Sequence, residues 1–226
     1  MGEPAIRAFI QARMSSARFP GKVLAPLAGR PILAHVIEKL AKVIPADRIT
    51  IATSAESSDD PLACYVRHLG IPLYRGPLED VFVRFQRCLR EYPCTGFFRI
   101  CADSPLLESS LLKRMLAYTE ANDFDLITNV FPRTFPRGQS VELIHSAKFA
   151  SIDPGRLTPQ EQEHVTQVFY NHPDEFRILN IPSANPDLAE MNLAVDTIED
   201  LRRLEKMLQL NHGDPKNKIM ETQAPV

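Results

Sequence analysis

A basic segment follows the first apolar run of the chain. Residues 11–22, Gln-Ala-Arg-Met-Ser-Ser-Ala-Arg-Phe-Pro-Gly-Lys, include Arg13, Arg18 and Lys22 and contain no acidic residue. Cations and hydroxyl groups at this density suit a polyphosphate, because arginine and lysine neutralise phosphate oxygens through charge-assisted hydrogen bonds. The segment is not a P-loop, since Ser16 stands where that motif requires its first glycine, and no G-x-G-x-x-G pattern is present. A solvated basic loop is the alternative interpretation.

Two aspartates follow apolar runs elsewhere in the chain. Asp103 comes after residues 99–102, and Asp196 comes after residues 193–195. Ligands of open α/β sheets bind outside the carboxyl ends of the strands, so we expect both carboxylates at one edge with the basic segment. Mg²⁺ prefers hard oxygen ligands and accepts one or two carboxylates besides water and phosphate oxygens. The pair therefore predicts a magnesium site, with helix N-capping by either aspartate as the alternative.

Short β-branched runs alternate along the chain with segments of helical period. The pattern predicts strands at 5–10, 49–53, 71–74, 96–101, 126–128, 176–181 and 193–195. It predicts helices at 31–43, about 62–69, 79–92, 109–122, 159–171 and 197–210. Parallel strands need crossover connections, and helices usually supply them. The alternation therefore predicts a single-domain α/β fold with a doubly wound, mostly parallel sheet.

Two regions depart from this alternation. Residues 129–157 are rich in Pro, Arg and Phe and contain one alternating segment, 140–145, which predicts a loop and hairpin inserted over the sheet. Residues 211–226 show no period, which predicts a disordered tail after a domain spanning 1–210.

The composition bounds the classes of partner. The 226 residues carry 26 Lys and Arg against 28 Asp and Glu, a net charge of -2, so we expect no overall attraction to nucleic acid or to an anionic membrane. No apolar run approaches the ~20 residues of a membrane span, and the segment after Met1 lacks a secretory pattern, so we expect a cytoplasmic protein. The four cysteines form no C-x-x-C pair, which predicts reduced thiols without a zinc site.

The segment 10–24, Ile-Gln-Ala-Arg-Met-Ser-Ser-Ala-Arg-Phe-Pro-Gly-Lys-Val-Leu, resembles the opening motif of the cytidylyltransferase family that makes CMP-activated sugar acids. That family includes the CMP-Kdo and CMP-acylneuraminate synthetases, and the likeness is nearest to the branch of spore coat polysaccharide biosynthesis protein F. Shorter matches follow in order, so that the resemblance covers 5–207; they lie at 51–54, 74–76, 79–81, 99–105, 163–166 and 195–201.

The resemblance implies a nucleotidyl transfer on a Rossmann-like nucleotide-diphospho-sugar transferase fold. A sugar oxygen attacks the α-phosphorus of CTP, or of another nucleoside triphosphate, and pyrophosphate leaves. It also implies bound Mg²⁺, a homodimer and a product for surface polysaccharide synthesis. The residues that inherit catalytic roles are Arg13, Lys22, Asp103 and Asp196, the last two as metal ligands. The residues expected around the nucleotide are Gln11, Ala12, Arg13, Ser15, Arg18, Lys22, Thr53, Ser54, Arg75, Asp80 and Arg99.

The acceptor sugar is expected beside the inserted loop. Arg133 and Arg137 flank residues 134–136 there, and a guanidinium pairs well with the carboxylate of a sugar acid, with solvent-facing arginines as the alternative. Glu142 and His164 are candidate bases for the attacking hydroxyl, with a satisfied helix histidine as the alternative for His164.

Two positions depart from the resembled pattern and leave other functions open. Ala102 stands where glycine is usual, and Ser140 stands where aspartate is usual. A nucleotide-binding module without turnover is therefore one alternative. A metal-dependent glycosyltransferase is another, because residues 123–125 read Asp-Phe-Asp, the Asp-x-Asp pattern of such enzymes, although they precede a predicted strand instead of following one.

Overall fold

The computed structural model of the protein describes residues 6–119 and 124–213. The strands in these ranges are β1 (Ile6–Gln11), β2 (Pro26–Leu27), β3 (Arg30–Pro31), β4 (Ile49–Ser54), β5 (Leu73–Gly76), β6 (Gly96–Cys101), β7 (Leu126–Thr128), β8 (Glu142–His145) and β9 (Ile178–Asn180). The α-helices are α1 (Ile32–Ala41), α2 (Asp60–His68), α3 (Val81–Glu91), α4 (Ser109–Thr119), α5 (Ser146–Ser151), α6 (Pro159–Glu163), α7 (Gln167–Asn171) and α8 (Ile198–Gly213).

The central sheet has the strand order β5-β4-β1-β6-β8-β7-β9. Strand β8 is antiparallel to both of its neighbours, and the other strands of the sheet run in one direction. The carboxyl ends of β1, β4 and β6 therefore meet at one edge, where Gln11 pairs with both Ala52 and Cys101. The predicted α/β fold with a mostly parallel sheet is confirmed, and this edge carries the basic segment and Asp103.

Alternate side chains of each strand enter two apolar layers. In β1, Ala8 and Ile10 pack in the layer that contains the buried faces of α1, α2 and α4. Phe9, between them, packs in the layer that contains α3, α5 and α7. The strands read as continuous apolar runs because both faces of the sheet are covered by helices, as in other doubly wound sheets.

Two predicted elements are placed differently. The segment 140–145 is not a hairpin over the sheet, because Glu142–His145 forms β8 within it, hydrogen-bonded to β6 and β7. The predicted helix 159–171 divides into α6 and α7, since the backbone leaves the helical conformation at His164. This break lets Val165 enter the core beside α3.

The segment 193–195 is a connection and not the predicted strand. Its backbone bonds go to loop residues: the Leu193 N–H donates to the Arg137 carbonyl at 2.7 Å, and the Val195 N–H donates to the Asp103 carbonyl at 2.9 Å. Both side chains are buried against Leu201 and Leu204 of α8. The apolar residues of this segment are buried against a helix and do not form a strand, although the same short apolar run is typical of one.

The last helix, α8, begins with a pair of hydrogen bonds at its N-terminus. Thr197 donates its hydroxyl to the Asp200 carboxylate at 3.1 Å, and the Asp200 N–H donates back to the Thr197 hydroxyl at 3.2 Å. The helix continues to Gly213, beyond the predicted end at 210, and residues 214–226 of the predicted tail lie outside the described residues.

Nowhere in the described ranges is a helix long and apolar enough to cross a membrane. The four cysteines are free thiols.

Candidate functional site

The basic segment turns back on itself around Met14. The Met14 carbonyl accepts the N–H groups of Ser16 at 2.9 Å and of Gly21 at 2.8 Å. Gly21 has a φ of 74°, a left-handed conformation that glycine adopts without steric cost, and it begins the short 3₁₀ turn Lys22–Leu24. This turn directs Lys22 inward, so that its side chain is only 11% exposed.

A buried aspartate that sequence reasoning missed fixes the start of this loop. The Asp59 carboxylate accepts the Met14 N–H at 2.6 Å and the Thr53 hydroxyl at 2.8 Å. Ser54 donates both its N–H, at 3.0 Å, and its hydroxyl to the same carboxylate. Thr53 and Ser54, predicted beside the nucleotide, thus use their side chains to tie the end of β4 to the loop. The sequence signal for this role is that Thr53 and Ser54, two possible hydrogen-bond donors, shortly precede Asp59.

The hydrogen bonds to Asp59 favour its ionised form. Burial alone would raise the pKa of this carboxyl, but the bonds from Ser54, Met14 and Thr53 outweigh burial and hold the pKa below its ordinary value of 3.8. A folded-state pKa below the unfolded one means that the stabilisation is fully present above the unfolded pKa of about 3.9. It is lost as the pH falls through the folded value.

Asp59→Asn is expected to lower the free energy of unfolding by about 1.5–3 kcal/mol at pH 7, because an amide cannot accept all of these hydrogen bonds. Urea unfolding of variant and parent measures this loss. The difference between the two proteins is expected to shrink between pH 5 and pH 2, as the parent carboxylate becomes protonated. Asp47→Asn, at an exposed position, is the matched control. A difference that stays constant over this pH range would contradict the role of Asp59 as an anion.

Lys22, Asp103 and Asp196 meet at the edge of the sheet. Nζ of Lys22 lies 2.8 Å from Oδ2 of Asp103 and 2.9 Å from Oδ1 of Asp196. The Arg18 guanidinium lies 3.1 Å from the other oxygen of Asp196. Burial alone would lower the pKa of Lys22, but the two carboxylates outweigh it and raise the pKa above 10.5. Burial would raise the pKa of Asp196, but Lys22 and Arg18 hold it below 3.8. Lys22 and Asp196 are therefore both ionised near neutral pH.

The two carboxylates fit a divalent cation. They converge on a single ammonium group and supply hard oxygen donors. Among the described residues, no three His, Cys, Asp or Glu side chains gather closely enough to hold a metal by themselves. A cation held by Asp103 and Asp196 would therefore take its other ligands from water and phosphate, as Mg²⁺ commonly does.

These side chains line a cavity of about 350 Å³ beyond the carboxyl ends of β1 and β6. Its wall contains many of the residues predicted for the nucleotide and the metal, namely Gln11, Ala12, Arg13, Arg18, Lys22, Arg99, Asp103 and Asp196. The remaining wall residues were not predicted to bind the nucleotide, although they lie within the segments 10–24, 99–105 and 163–166. They are Ser16, Ala17, Val23, Cys101, Ala102 and His164.

Other predicted nucleotide residues are not brought to this cavity. Arg75 donates to the carbonyls of Ser54 at 2.9 Å and Glu56 at 2.8 Å and lies 2.7 Å from Asp60, so it fastens β5 to the loop after β4. Asp80 accepts the Val83 N–H at 2.8 Å and is the N-cap of α3. Ser15, Thr53 and Ser54 are also absent from the wall.

A second cavity of about 270 Å³ shares Arg99 and His164 with the first. Three of the predicted acceptor residues line it, namely Arg133, Glu142 and His164. Arg137 does not line it, and its backbone pairs with the connection that leads to Asp196. The other lining residues are Val130, Ser140, Gln160, Thr166, Gln167 and Tyr170. His164 lies at the break between α6 and α7 and is exposed, so it is not the satisfied helix residue of the alternative interpretation.

Glu142 is the centre of a buried hydrogen-bond network between the two cavities. One of its oxygens accepts the hydroxyls of Tyr170 at 2.6 Å and Thr166 at 2.7 Å, and the other lies 3.2 Å from Arg99. Arg99 donates a second nitrogen to the side-chain oxygen of Gln11 at 2.7 Å. Glu142 is 3% exposed and both of its oxygens are engaged, so it orients Arg99 and is poorly placed to accept a proton from a substrate.

The Asp-x-Asp pattern does not contribute its described member to either cavity. Asp125 accepts the Arg177 N–H at 2.9 Å at the amino end of β7, the edge of the sheet opposite to both cavities. Asp123 lies outside the described residues.

Known proteins resemble this chain in sequence and in fold. Spore coat polysaccharide biosynthesis protein SpsF of Bacillus subtilis is 29% identical over 208 residues, which cover 88% of this chain and 85% of that protein. A cytidylyltransferase structure from Leptospira borgpetersenii matches with a TM-score of 0.85 and 25% identity, covering 96% of this chain and 99% of that one. A CMP:2-keto-3-deoxy-manno-octonic acid synthetase solved with CTP has the same fold, with a TM-score of 0.68, 15% identity and coverage of 92% and 99%.

A family model described as cytidylyltransferase matches residues 7–221, which confirms the resemblance seen in the sequence. The match begins at the second residue of β1 and includes all the other strands of the central sheet and both aspartates of the cavity. The chain therefore belongs to the cytidylyltransferase family.

Proposed function

We propose that the protein transfers CMP from CTP to a sugar or sugar acid and releases pyrophosphate, with Mg²⁺ as cofactor. The observation that carries this proposal is a single cavity that gathers the three cations of the basic segment, Arg99 and two carboxylates in a chain of the cytidylyltransferase family. Fixed cations suit a triphosphate, and two convergent carboxylates suit the divalent cation that accompanies it. The synthetase of the same fold that was solved with CTP supports CTP as the nucleotide.

The cations of the basic segment have a role in the departure of pyrophosphate. As the bond from the α-phosphorus to its bridging oxygen breaks, negative charge grows on the leaving group. Once the triphosphate is bound, Arg13, Arg18 and Lys22 would neutralise this charge without reorganisation of solvent. When bound by Asp103 and Asp196, Mg²⁺ would supply further charge neutralisation at the phosphates.

The second cavity is the proposed acceptor site. Arg133 donates to the neutral hydroxyl of Ser140 at 3.1 Å, so its charge is available to a carboxylate or phosphate of the acceptor. His164 lines both cavities and is the proposed base for a neutral sugar hydroxyl. An acceptor phosphate is already nucleophilic and would not need that base. The name of SpsF supports a product used in polysaccharide synthesis.

Arg133→Ala is expected to raise the KM for the acceptor at least ~10-fold, the scale of one charge-assisted contact worth about 1.5–3 kcal/mol. The affinity for CTP is expected to stay within about twofold, because Arg133 does not line the first cavity. Steady-state kinetics with the acceptor varied measures the effect. Arg137→Ala is the matched control, since it removes a neighbouring charge from outside both cavities. Equal effects of the two substitutions would contradict direct binding by Arg133.

The reaction itself is tested by pyrophosphate release. The protein is incubated with CTP, Mg²⁺ and a panel of acceptors that includes sugar acids, such as 3-deoxy-manno-octulosonate, and sugar phosphates. Release that depends on one acceptor, with formation of its CMP derivative, is the expected result. Nucleoside phosphate released from a nucleotide sugar would instead indicate a glycosyltransferase. Nucleotide binding without release for any acceptor of the panel would favour a binding module.

Assembly and location remain predictions. We propose a homodimer in the cytoplasm that binds neither nucleic acid nor membrane. Light scattering that gives the molar mass of a single 25.5 kDa chain would contradict the dimer.

A further inference from the structure

Lys22 is placed where a divalent cation would be expected. Its ammonium group contacts Asp103 at 2.8 Å and Asp196 at 2.9 Å, and the buried 3₁₀ turn after Gly21 holds its backbone. Together with Arg18 on Asp196, the cluster consists of two cations and two carboxylates. Its charges cancel, so the cluster has no net negative charge with which to attract a free cation.

We propose that Lys22 occupies the metal position in the free protein and leaves it when a nucleoside triphosphate binds, so that metal and nucleotide bind interdependently. This inference rests on the proposed function, because it takes the two aspartates as the metal ligands.

Displacement of Lys22 by a metal alone is unfavourable for two reasons. The ammonium would lose both carboxylate partners while its side chain is largely buried, and a buried charge without partners is costly. The arriving divalent cation would also be repelled by Lys22 and Arg18 at close range.

A triphosphate removes both obstacles. Its oxygens offer Lys22 and Arg18 new anionic partners within the same cavity, and the flexible four-carbon stem of lysine can carry the ammonium to them. The carboxylates are then released for the metal, and the phosphates supply further oxygen ligands. Because such coupling is reciprocal, the metal raises nucleotide affinity by the same factor.

The test is titration of Mn²⁺ alone into nucleotide-free protein, with free Mn²⁺ measured by electron paramagnetic resonance. Lys22→Gln is expected to bind Mn²⁺ at least ~10-fold more tightly than the parent protein. Lys22→Arg, which keeps the charge, and Lys113→Gln, at an exposed position of α4, are expected to bind as weakly as the parent. Adding Asp103→Asn to Lys22→Gln is expected to abolish the gain. Thermal melting confirms that each variant is folded.

Two outcomes would overturn the inference, and they separate its failure from that of the proposed function. If the parent binds Mn²⁺ as tightly as Lys22→Gln does, and Asp103→Asn weakens Mn²⁺ binding in both proteins, Lys22 does not block the metal position. The proposed metal site would still be supported. If Lys22→Gln shows no gain in Mn²⁺ affinity and CTP binding by the parent is unaffected by Mn²⁺, both the proposed role of Lys22 and the proposed metal site are wrong.

Discussion

Asp103→Asn and Asp196→Asn are each expected to lower kcat for cytidylyl transfer at least ~100-fold, equivalent to about 2.7 kcal/mol of transition-state stabilisation. The two carboxylates converge on one point of the cavity, so either substitution removes half of the protein ligands proposed for the metal. A weakened metal stabilises less of the charge that develops on the phosphates. Steady-state kinetics at saturating CTP and Mg²⁺ measures the loss.

Folding should survive these substitutions, because asparagine has nearly the same shape as aspartate and also caps helices well. Asp47→Asn, far along the sequence and exposed, is the matched control and is expected to retain the parent kcat. If both cavity variants melt like the parent and keep more than half of its kcat, the aspartates hold no essential metal. Their ion pairs with Lys22 would then have a structural role only, because α8 is capped by Thr197 and Asp200 and not by Asp196.

Arg13→Ala and Lys22→Ala are each expected to weaken CTP binding at least ~10-fold while they change CMP binding by less than threefold. The physical reason is that their proposed partners are the β- and γ-phosphates, which CMP lacks, and each charge-assisted contact contributes about 1.5–3 kcal/mol. Calorimetric titration of both nucleotides, in the presence of Mg²⁺, measures the two affinities.

The control for this pair is Arg114→Ala, which removes an exposed positive charge from α4. It is expected to leave both affinities unchanged, so that general electrostatic attraction is separated from contact in the cavity. Equal losses for CTP and CMP would place Arg13 and Lys22 beside the base or ribose. They would also be explained if the substitutions disordered the loop, which the melting temperature of each variant would reveal.

The sequence predicted the sheet and the position of the cavity well, because both depend on local patterns. The strand Gly96–Cys101 is apolar except for Arg99, and its bounds were predicted to the residue. The basic segment had to follow β1, and parallel strands bring such loops to one edge. These two facts bring Arg13, Lys22 and Asp103 together. Asp196 joins them through the connection 193–195, which is not the predicted strand and is tied to Asp103 by the Val195 N–H.

Pairings between distant side chains could not be predicted in the same way. Arg75 and Asp80 have charges that suit a nucleotide, but the fold uses one to fasten β5 and the other to cap α3. Asp59 becomes important because the loop brings its Met14 N–H to the Asp59 carboxylate, 45 residues away in the sequence. A hydrophobicity pattern carries no information about such partners.

The region after β7 was the least predictable part of the fold. A strand that joins a sheet in the antiparallel direction gives the same alternation of apolar and polar residues as a hairpin outside the sheet. The pattern at 140–145 therefore predicted a hairpin over the sheet, where the structure has β8 within it. Its position within the sheet matters for the site, because it sets Glu142 beside Arg99 on β6, and Arg99 lines both cavities.

Calorimetric titration of the parent protein with CTP, UTP, GTP and ATP in the presence of Mg²⁺ tests most directly whether the first cavity is a CTP site. We expect CTP to bind at least ~10-fold more tightly than the other three nucleotides and to lose this affinity when Mg²⁺ is replaced by a chelator. Absence of CTP binding, or tighter binding of another nucleotide, would contradict the proposed cytidylyl transfer.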